Sequence, residues 1–171
     1  MNLRTDKPLH AIPAYAAKLK APFAVLGIRT ARGAVTGIEY LPRGERAQSP
    51  RDAVAERACR QLERYLGDPQ FRFTLPLAPE GSVFRRRVWA ALSDIPVGES
   101  RTYGELARRL HTAPRAIGGA CGANPIALVI PCHRVVGSLG SLGGFMGATA
   151  GDPIAIKRWL LAHEGYRFGA R

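Results

Sequence analysis

The chain is 171 residues long, room for one domain or for a small and a medium one, and its 46% hydrophobic content excludes a disordered tail protein. No run approaches the roughly 20 consecutive apolar residues of a membrane span, which excludes a membrane partner of that kind. The formal net charge of +12, carried by 25 basic residues of which only Lys7, Lys18, Lys20 and Lys157 are lysine, points to a polyanionic partner, with arginine suited to phosphate forks and base stacks.

The first elements read as a small α/β unit over residues 15–77. Ala24–Ile28 and Val35–Tyr40 predict two strands joined by a hairpin turn at Ala31-Arg32-Gly33. Residues 41–50 predict a loop. Apolar residues at Val54, Ala58, Leu62, Tyr65 and Leu66 recur at helical spacing, with Asp52 as a cap and Gly67-Asp68-Pro69 as a stop. Residues 71–77 alternate as a strand. Pro76, Pro79 and Gly81 mark a domain boundary near residue 80.

Beyond it the pattern turns helical. Ser82 to Ile95 predicts a helix that ends at Pro96-Val97-Gly98. Tyr103 to Leu110 predicts a second, capped by Thr102. Arg115 to Ala123 predicts a third, rich in small residues, after a turn at residues 111–114. Two short helices around a tight turn in a basic chain suggest a helix-turn-helix, although such pairs also serve as plain packing units. A glycine-rich stretch over 137–151 precedes a last helix, Ile154 to His163.

The cysteines are Cys59, Cys121 and Cys132. An odd count, with no framework spacing and no apolar signal core in Met1-Asn2-Leu3-Arg4, predicts a reducing, cytoplasmic setting. There is no CxxC pair and no HxxxH, so no metal site and no cofactor are expected. Cys132 stands in Ile130-Pro131-Cys132-His133-Arg134-Val135-Val136. A soft nucleophile beside an imidazole, with Glu164 as an orienting carboxylate, supplies the parts needed to make and use a thiolate. Each residue also has a plainer reading. Cys132 serves as a small buried hydrophobe, His133 as a satisfied core histidine, Glu164 as a solvated helix end, and Asn124 before Pro125 as a helix terminator.

Taken together, Asn124-Pro125, Pro131-Cys132-His133-Arg134-Val135-Val136 and Leu160-Leu161-Ala162-His163-Glu164-Gly165 resemble the signature of the O6-alkylguanine-DNA alkyltransferases, the methylated-DNA–protein-cysteine methyltransferases. The resemblance covers Phe84 to Gly165, through Phe84-Arg85-Arg86-Arg87-Val88-Trp89, Ile95-Pro96-Val97-Gly98-Glu99, Tyr103-Gly104-Glu105-Leu106-Ala107 and Arg115-Ala116-Ile117-Gly118. It is looser in the N-terminal half, at Pro22-Phe23-Ala24-Val25-Leu26-Gly27-Ile28.

The resemblance implies an α/β plus α fold. Residues 1–80 would form a ribonuclease-H-like mixed sheet with a helix, and residues 81–171 a mainly helical domain with a helix-turn-helix and the reactive cysteine. Cys132 would accept the alkyl group in a single, irreversible turnover. His133 would take the thiol proton through a water, Glu164 would polarise His133, and Asn124 would brace the turn. Tyr103 would hydrogen-bond the flipped guanine. Arg115 would fill the vacated place in the base stack. Ala116, Gly118 and Gly119 would allow a close minor-groove approach, and Arg134 would join them at the DNA. Tyr103, Cys121, Val135, Leu142, Gly143, Phe145, Met146 and Gly147 would line the substrate pocket. The implied partner is double-stranded DNA containing O6-alkylguanine, and the implied state in solution is a monomer. The loop departs from the family's usual tyrosine and glycine at Phe145 and Ala148, and it runs on through Thr149-Ala150-Gly151-Asp152-Pro153. Two rival functions share these residues: a protein that only binds and flags the lesion, and a cysteine hydrolase with a Cys-His-Glu site.

Overall fold

Arg32 and Gly33 both take positive φ, 49° and 77°. A two-residue hairpin turn of this hand matches the twist of the strands it joins, and glycine fills its second place without strain. The turn closes β2 (Val25–Ala31) onto β3 (Ala34–Leu41), and β1 (Ala17–Lys20) adds on the other side of β2. The sheet is antiparallel, in the order β1-β2-β3. The computed structural model describes residues 14–168; Met1 to Arg4 and the rest of 1–13 lie outside them.

Helix α1 (Ala53–Gly67) begins where Asp52 accepts the amide of Ala55, and it lays Ala55, Ala58, Leu62 and Tyr65 on the sheet. Residues 71–77 do not form the expected strand. Their side chains alternate between half-buried and exposed, but the only ladder contact is an isolated bridge between Leu77 and Val35. The amide of Thr74 bonds the Gln61 side chain at 2.8 Å instead, and Pro76 has no amide to give. The alternation is real, but no neighbouring strand receives it.

Helix α2 (Val83–Ser93) is capped by Ser82. The two-residue strand β4 (Arg101–Thr102) leads into α3 (Tyr103–Arg109), whose start is fixed by reciprocal bonds between Thr102 and Glu105. Helix α4 (Pro114–Gly122) opens with proline at its first position, where no amide is needed. Trp89 of α2 donates its indole N–H to the Ala120 carbonyl at 2.8 Å, which ties α2 to α4. A 3₁₀ turn (Cys132–Arg134), β5 (Val135–Val136) and α5 (Asp152–His163) complete the chain. Buried side chains from both halves, from Ala16 to Leu160, form one contiguous cluster.

The reactive segment is anchored on both sides. Ahead of Cys132, Ile38 of β3 donates to the Pro125 carbonyl and accepts from the Ala127 amide. Behind it, β5 pairs in parallel with β4, immediately before Tyr103. Within the segment Leu128 is buried at φ 71°, a left-handed conformation for a side chain that disfavours it. Such backbone persists only where its surroundings over-determine it.

Thr102→Ala removes the cap that starts α3. We expect a loss of about 1 kcal/mol and a fall in Tm of roughly 2–4 °C for a chain of this size. An unchanged thermal melt would show that the Thr102–Glu105 pair adds nothing to stability.

Candidate active site

Glu164 sits at the C-cap of α5 and is 4% exposed. One carboxylate oxygen, Oε1, faces Nε2 of His133 at 2.9 Å, accepts from the Tyr65 hydroxyl at 2.7 Å and accepts from a terminal N–H of Arg134 at 2.9 Å. The other oxygen accepts from Nε of Arg134 at 2.8 Å. Burial alone would raise this carboxyl, but the hydrogen bonds and charges of His133 and Arg134 hold it well below the usual carboxylate range. Gly98 is needed close by. It has φ 78°, and a Cβ there would stand 3.0 Å from the Glu164 carbonyl.

His133 is fully buried and its ring is pushed below the ordinary histidine range, first by burial. Glu164 works against that shift, while the Arg134 and Lys157 charges reinforce it. Arg134 already neutralises Glu164, so the downward shift prevails. Nδ1 of His133, the nitrogen away from the carboxylate, has no hydrogen-bond partner among the described residues.

Cys132 is 6% exposed. Burial raises its thiol, and three influences oppose that: a hydrogen bond from Asn124, the Lys157 charge, and the amides of Cys132 and His133. Asn124 spans the turn. Its side-chain amide donates to the Ile130 carbonyl at 2.8 Å and to Sγ of Cys132 at 3.3 Å, and its oxygen accepts the Ile126 amide at 3.0 Å. The resting site is therefore a neutral thiol and a neutral imidazole, with a charged Glu164–Arg134 pair behind them.

Cys132 lines a cavity of about 540 Å³ with Tyr103, Cys121, Phe145, Met146 and Gly147. Pro114, Gly118, Gly119, Gly122, Gly144, Ala148 and Thr149 complete the wall. Three expected lining residues stand elsewhere. Val135 is buried in β5. Leu142 turns its carbonyl toward Lys157. Gly143 backs the Tyr103 ring, where a Cβ would lie 2.8 Å from a ring carbon. Tyr103 donates its hydroxyl to the Gly144 carbonyl at 3.0 Å.

Arg134, expected at the DNA, is instead 9% exposed and committed to Glu164 and to the Ile95 carbonyl. It follows His133 in one 3₁₀ turn, so the position that reads as a basic flank in sequence faces the interior. Arg115 is exposed at the start of α4, and Ala116, Gly118 and Gly119 share that helix.

Two residues escaped the sequence reading. Lys157 is fully buried, donates to the carbonyls of Leu142 and Gly144, and is pushed down to about 8 by burial. The signal was present: a lysine between Ile156 and Leu160, on the apolar face of α5. Tyr65 read only as a core position of α1. No group of three or more His, Cys, Asp or Glu side chains able to hold a metal occurs among the described residues, and none of their helices is long and apolar enough to cross a membrane.

A mixed α/β chain that sets a buried cysteine in the wall of an apolar cavity, next to a buried imidazole–carboxylate pair, has the build of a protein with a cysteine nucleophile. Comparison makes the class specific. The sequence profile of the 6-O-methylguanine DNA methyltransferase DNA-binding domain matches residues 83–166. A methylated-DNA–protein-cysteine methyltransferase of Methanosarcina barkeri is 42% identical over 134 residues, which is 74% of this chain and 82% of that protein. The crystal structure of Mycobacterium tuberculosis O6-methylguanine methyltransferase aligns with TM-score 0.74 at 33% identity, covering 90% of this chain and 94% of that one. Mycobacterium tuberculosis OGT in complex with DNA aligns with TM-score 0.73 at 35% identity, covering 86% and 90%. The chain belongs to the methylated-DNA–protein-cysteine methyltransferase family.

Asn124→Ala removes three hydrogen bonds, worth about 1 kcal/mol each, so we expect a loss of roughly 3 kcal/mol in a denaturant melt. The lost donor to sulfur also disfavours the thiolate. Labelling of Cys132 by iodoacetamide, located by mass spectrometry, should move to higher pH. A melt and a labelling profile identical to those of the unmodified protein would remove Asn124 from both roles.

Proposed function

We propose that the chain repairs DNA by direct reversal of alkyl damage. It binds duplex DNA, extrudes an O6-alkylguanine and moves the alkyl group to Cys132 once and irreversibly. The observation that carries this reading is the Cys132 thiol in the wall of a cavity shared by Tyr103 of α3, Gly118 and Gly119 of α4 and the 144–149 loop. The activity is that of its family, methyl transfer from DNA to a protein cysteine.

Each proposed step has a physical reason. The target atom lies inside the duplex, so the base must leave the stack. Helices α3 and α4, with residues 110–113 between them, act as a helix-turn-helix with α4 in the minor groove. The small residues Ala116, Gly118 and Gly119 allow the close approach, and Arg115 fills the gap left by the base, as wedges do in other minor-groove binders. Arg85, Arg86, Arg87, Arg108 and Arg109 are exposed and bind phosphates without sequence preference. We divide the chain near residue 80 into a ribonuclease-H-like unit and a DNA-binding unit, and we take the protein to act as a monomer in the cytoplasm.

In the chemical step the thiol proton passes to Nδ1 of His133 through a water, and Glu164 steadies the imidazolium. The sulfur then attacks the O6-alkyl carbon in line. The S–C bond forms as the C–O6 bond breaks, and the electron pair leaves with guanine. Guanine gains a proton at N1, which balances the one lost by the thiol. Tyr103 exchanges its bond to Gly144 for one to the base and eases that departure. The thioether does not revert, and no cofactor enters.

Incubation with duplex DNA containing O6-methylguanine should add one methyl group, on Cys132 and on neither Cys59 nor Cys121. Cys132→Ala should bind the DNA and leave the lesion intact. Binding with no mass change would make the protein a lesion flag, and many lesions cleared per molecule would make it a turnover enzyme.

Arg115→Ala should slow repair in duplex at least about tenfold, because unstacking a base costs a few kcal/mol. Dealkylation of free O6-benzylguanine, which needs no flipping, should change far less. Equal losses on the two substrates would place Arg115 in folding or chemistry instead.

A further inference from the structure

Tyr65 lies on α1, outside the matched residues 83–166 and 99 positions before Glu164. It is 1% exposed, and α5 grips it at both ends. Its backbone carbonyl is hydrogen-bonded by the His163 ring at 2.9 Å, and that ring packs edge-on against its own at 5.3 Å. Its hydroxyl donates to Oε1 of Glu164 at 2.7 Å, the oxygen that faces His133. Phe73 packs against the ring at 5.5 Å.

We infer that Tyr65 is a positioning residue of the proton relay, through which the N-terminal half fixes the carboxylate that orients His133. This rests on the proposed role of Glu164 opposite His133. A phenylalanine would fill the same apolar space, so the hydroxyl is the informative part. It limits Glu164 to one rotation, and it draws charge from the oxygen that His133 uses. The groups bonded to that oxygen are His133, Arg134 and Tyr65, with Tyr40 of β3 within electrostatic reach of the carboxylate; those acting on His133 are Glu164, Arg134 and Lys157.

Without the hydroxyl, Glu164 is a stronger base and holds an imidazolium better. His133 then becomes protonated at higher pH in the resting protein, and a protonated ring cannot accept the thiol proton. The freer carboxylate also orients the ring less well.

The test is the single-turnover rate of methyl transfer from O6-methylguanine duplex, measured across pH with full-length protein in excess and with a thermal melt alongside. For Tyr65→Phe we expect the acid limb of the profile to move up by about 0.5–1 pH unit. The plateau should fall about 3- to 10-fold, part of the roughly 10²–10⁴-fold that a positioned general base supplies. Site-specific 3-fluorotyrosine at position 65 keeps the shape and strengthens the donor, so its acid limb should move down. In a Glu164→Gln background Tyr65→Phe should cause no further shift. A lower Tm with profiles superimposable on the unmodified protein would overturn the inference, and so would full additivity with Glu164→Gln. Absence of methyl on Cys132 in the unmodified protein is a different failure: it sinks the repair function itself.

Discussion

The buried carboxylate of Glu164 is the interaction on which the site depends. Removing such a charge from water costs several kcal/mol unless it is paired and hydrogen-bonded. Here the cost is offset by four contacts from three residues on two parts of the chain: Tyr65 on α1, and His133 and Arg134 on the 3₁₀ turn, all meeting the end of α5. Helices far apart in sequence are thereby held at fixed positions around one group. Arg134 neutralises Glu164, so His133 is free to stay uncharged until a proton reaches it. A carboxylate without that arginine would draw a proton onto the ring at rest and leave it no capacity to accept one.

The same logic governs Cys132. A thiolate kept ready at all times would invite oxidation and indiscriminate alkylation. Burial holds this thiol protonated, while Asn124, the local amides and Lys157 keep the thiolate within reach. The turn that carries it is pinned ahead by β3 and behind by β4, so its direction toward the cavity does not depend on ligand. Reactivity is thus tied to what enters the cavity.

Much of the fold was legible because its signals are local. Asp52, Ser82 and Thr102 each stand where a side chain must satisfy the first free amides of a helix, and Arg32-Gly33 where two residues with positive φ must turn a hairpin. What stayed hidden depends on partners remote in sequence. β1 is short and contains Lys18 and Lys20, and only its pairing with β2 makes it a strand. Residues 71–77 alternate correctly but pair with β3 only at the Leu77–Val35 bridge. Arg134 reads as one more surface cation until Glu164, 30 residues away, is seen to claim it. Tyr65 has the spacing of a core residue, and its hydroxyl gains meaning only through α5. The motif spelled out Cys132, His133, Glu164 and Asn124, whereas the ties of Arg134, Lys157 and Tyr65 to them came from the fold.

Two buried cations bracket this site, and their positions suit the movement of charge. Arg134 is committed to Glu164 and to the Ile95 carbonyl. Lys157 lies on the cavity side, bonded to the Leu142 and Gly144 carbonyls, 5.8 Å from the Tyr103 ring centre and within electrostatic reach of Cys132. Before transfer the negative charge to be steadied is on sulfur. In the proposed transfer it would move to guanine inside the cavity as the C–O6 bond breaks. A cation on the histidine side would favour the first state and lose contact with the second. Lys157 has no carboxylate partner among its hydrogen bonds, so its charge is not already spent. In a site that excludes water, a fixed charge aimed at the developing one needs no reorganisation at the moment of reaction. Its two carbonyl bonds also hold the loop that walls the cavity, so in the proposed transfer the group that would steady the charge also fixes the place where the charge would form.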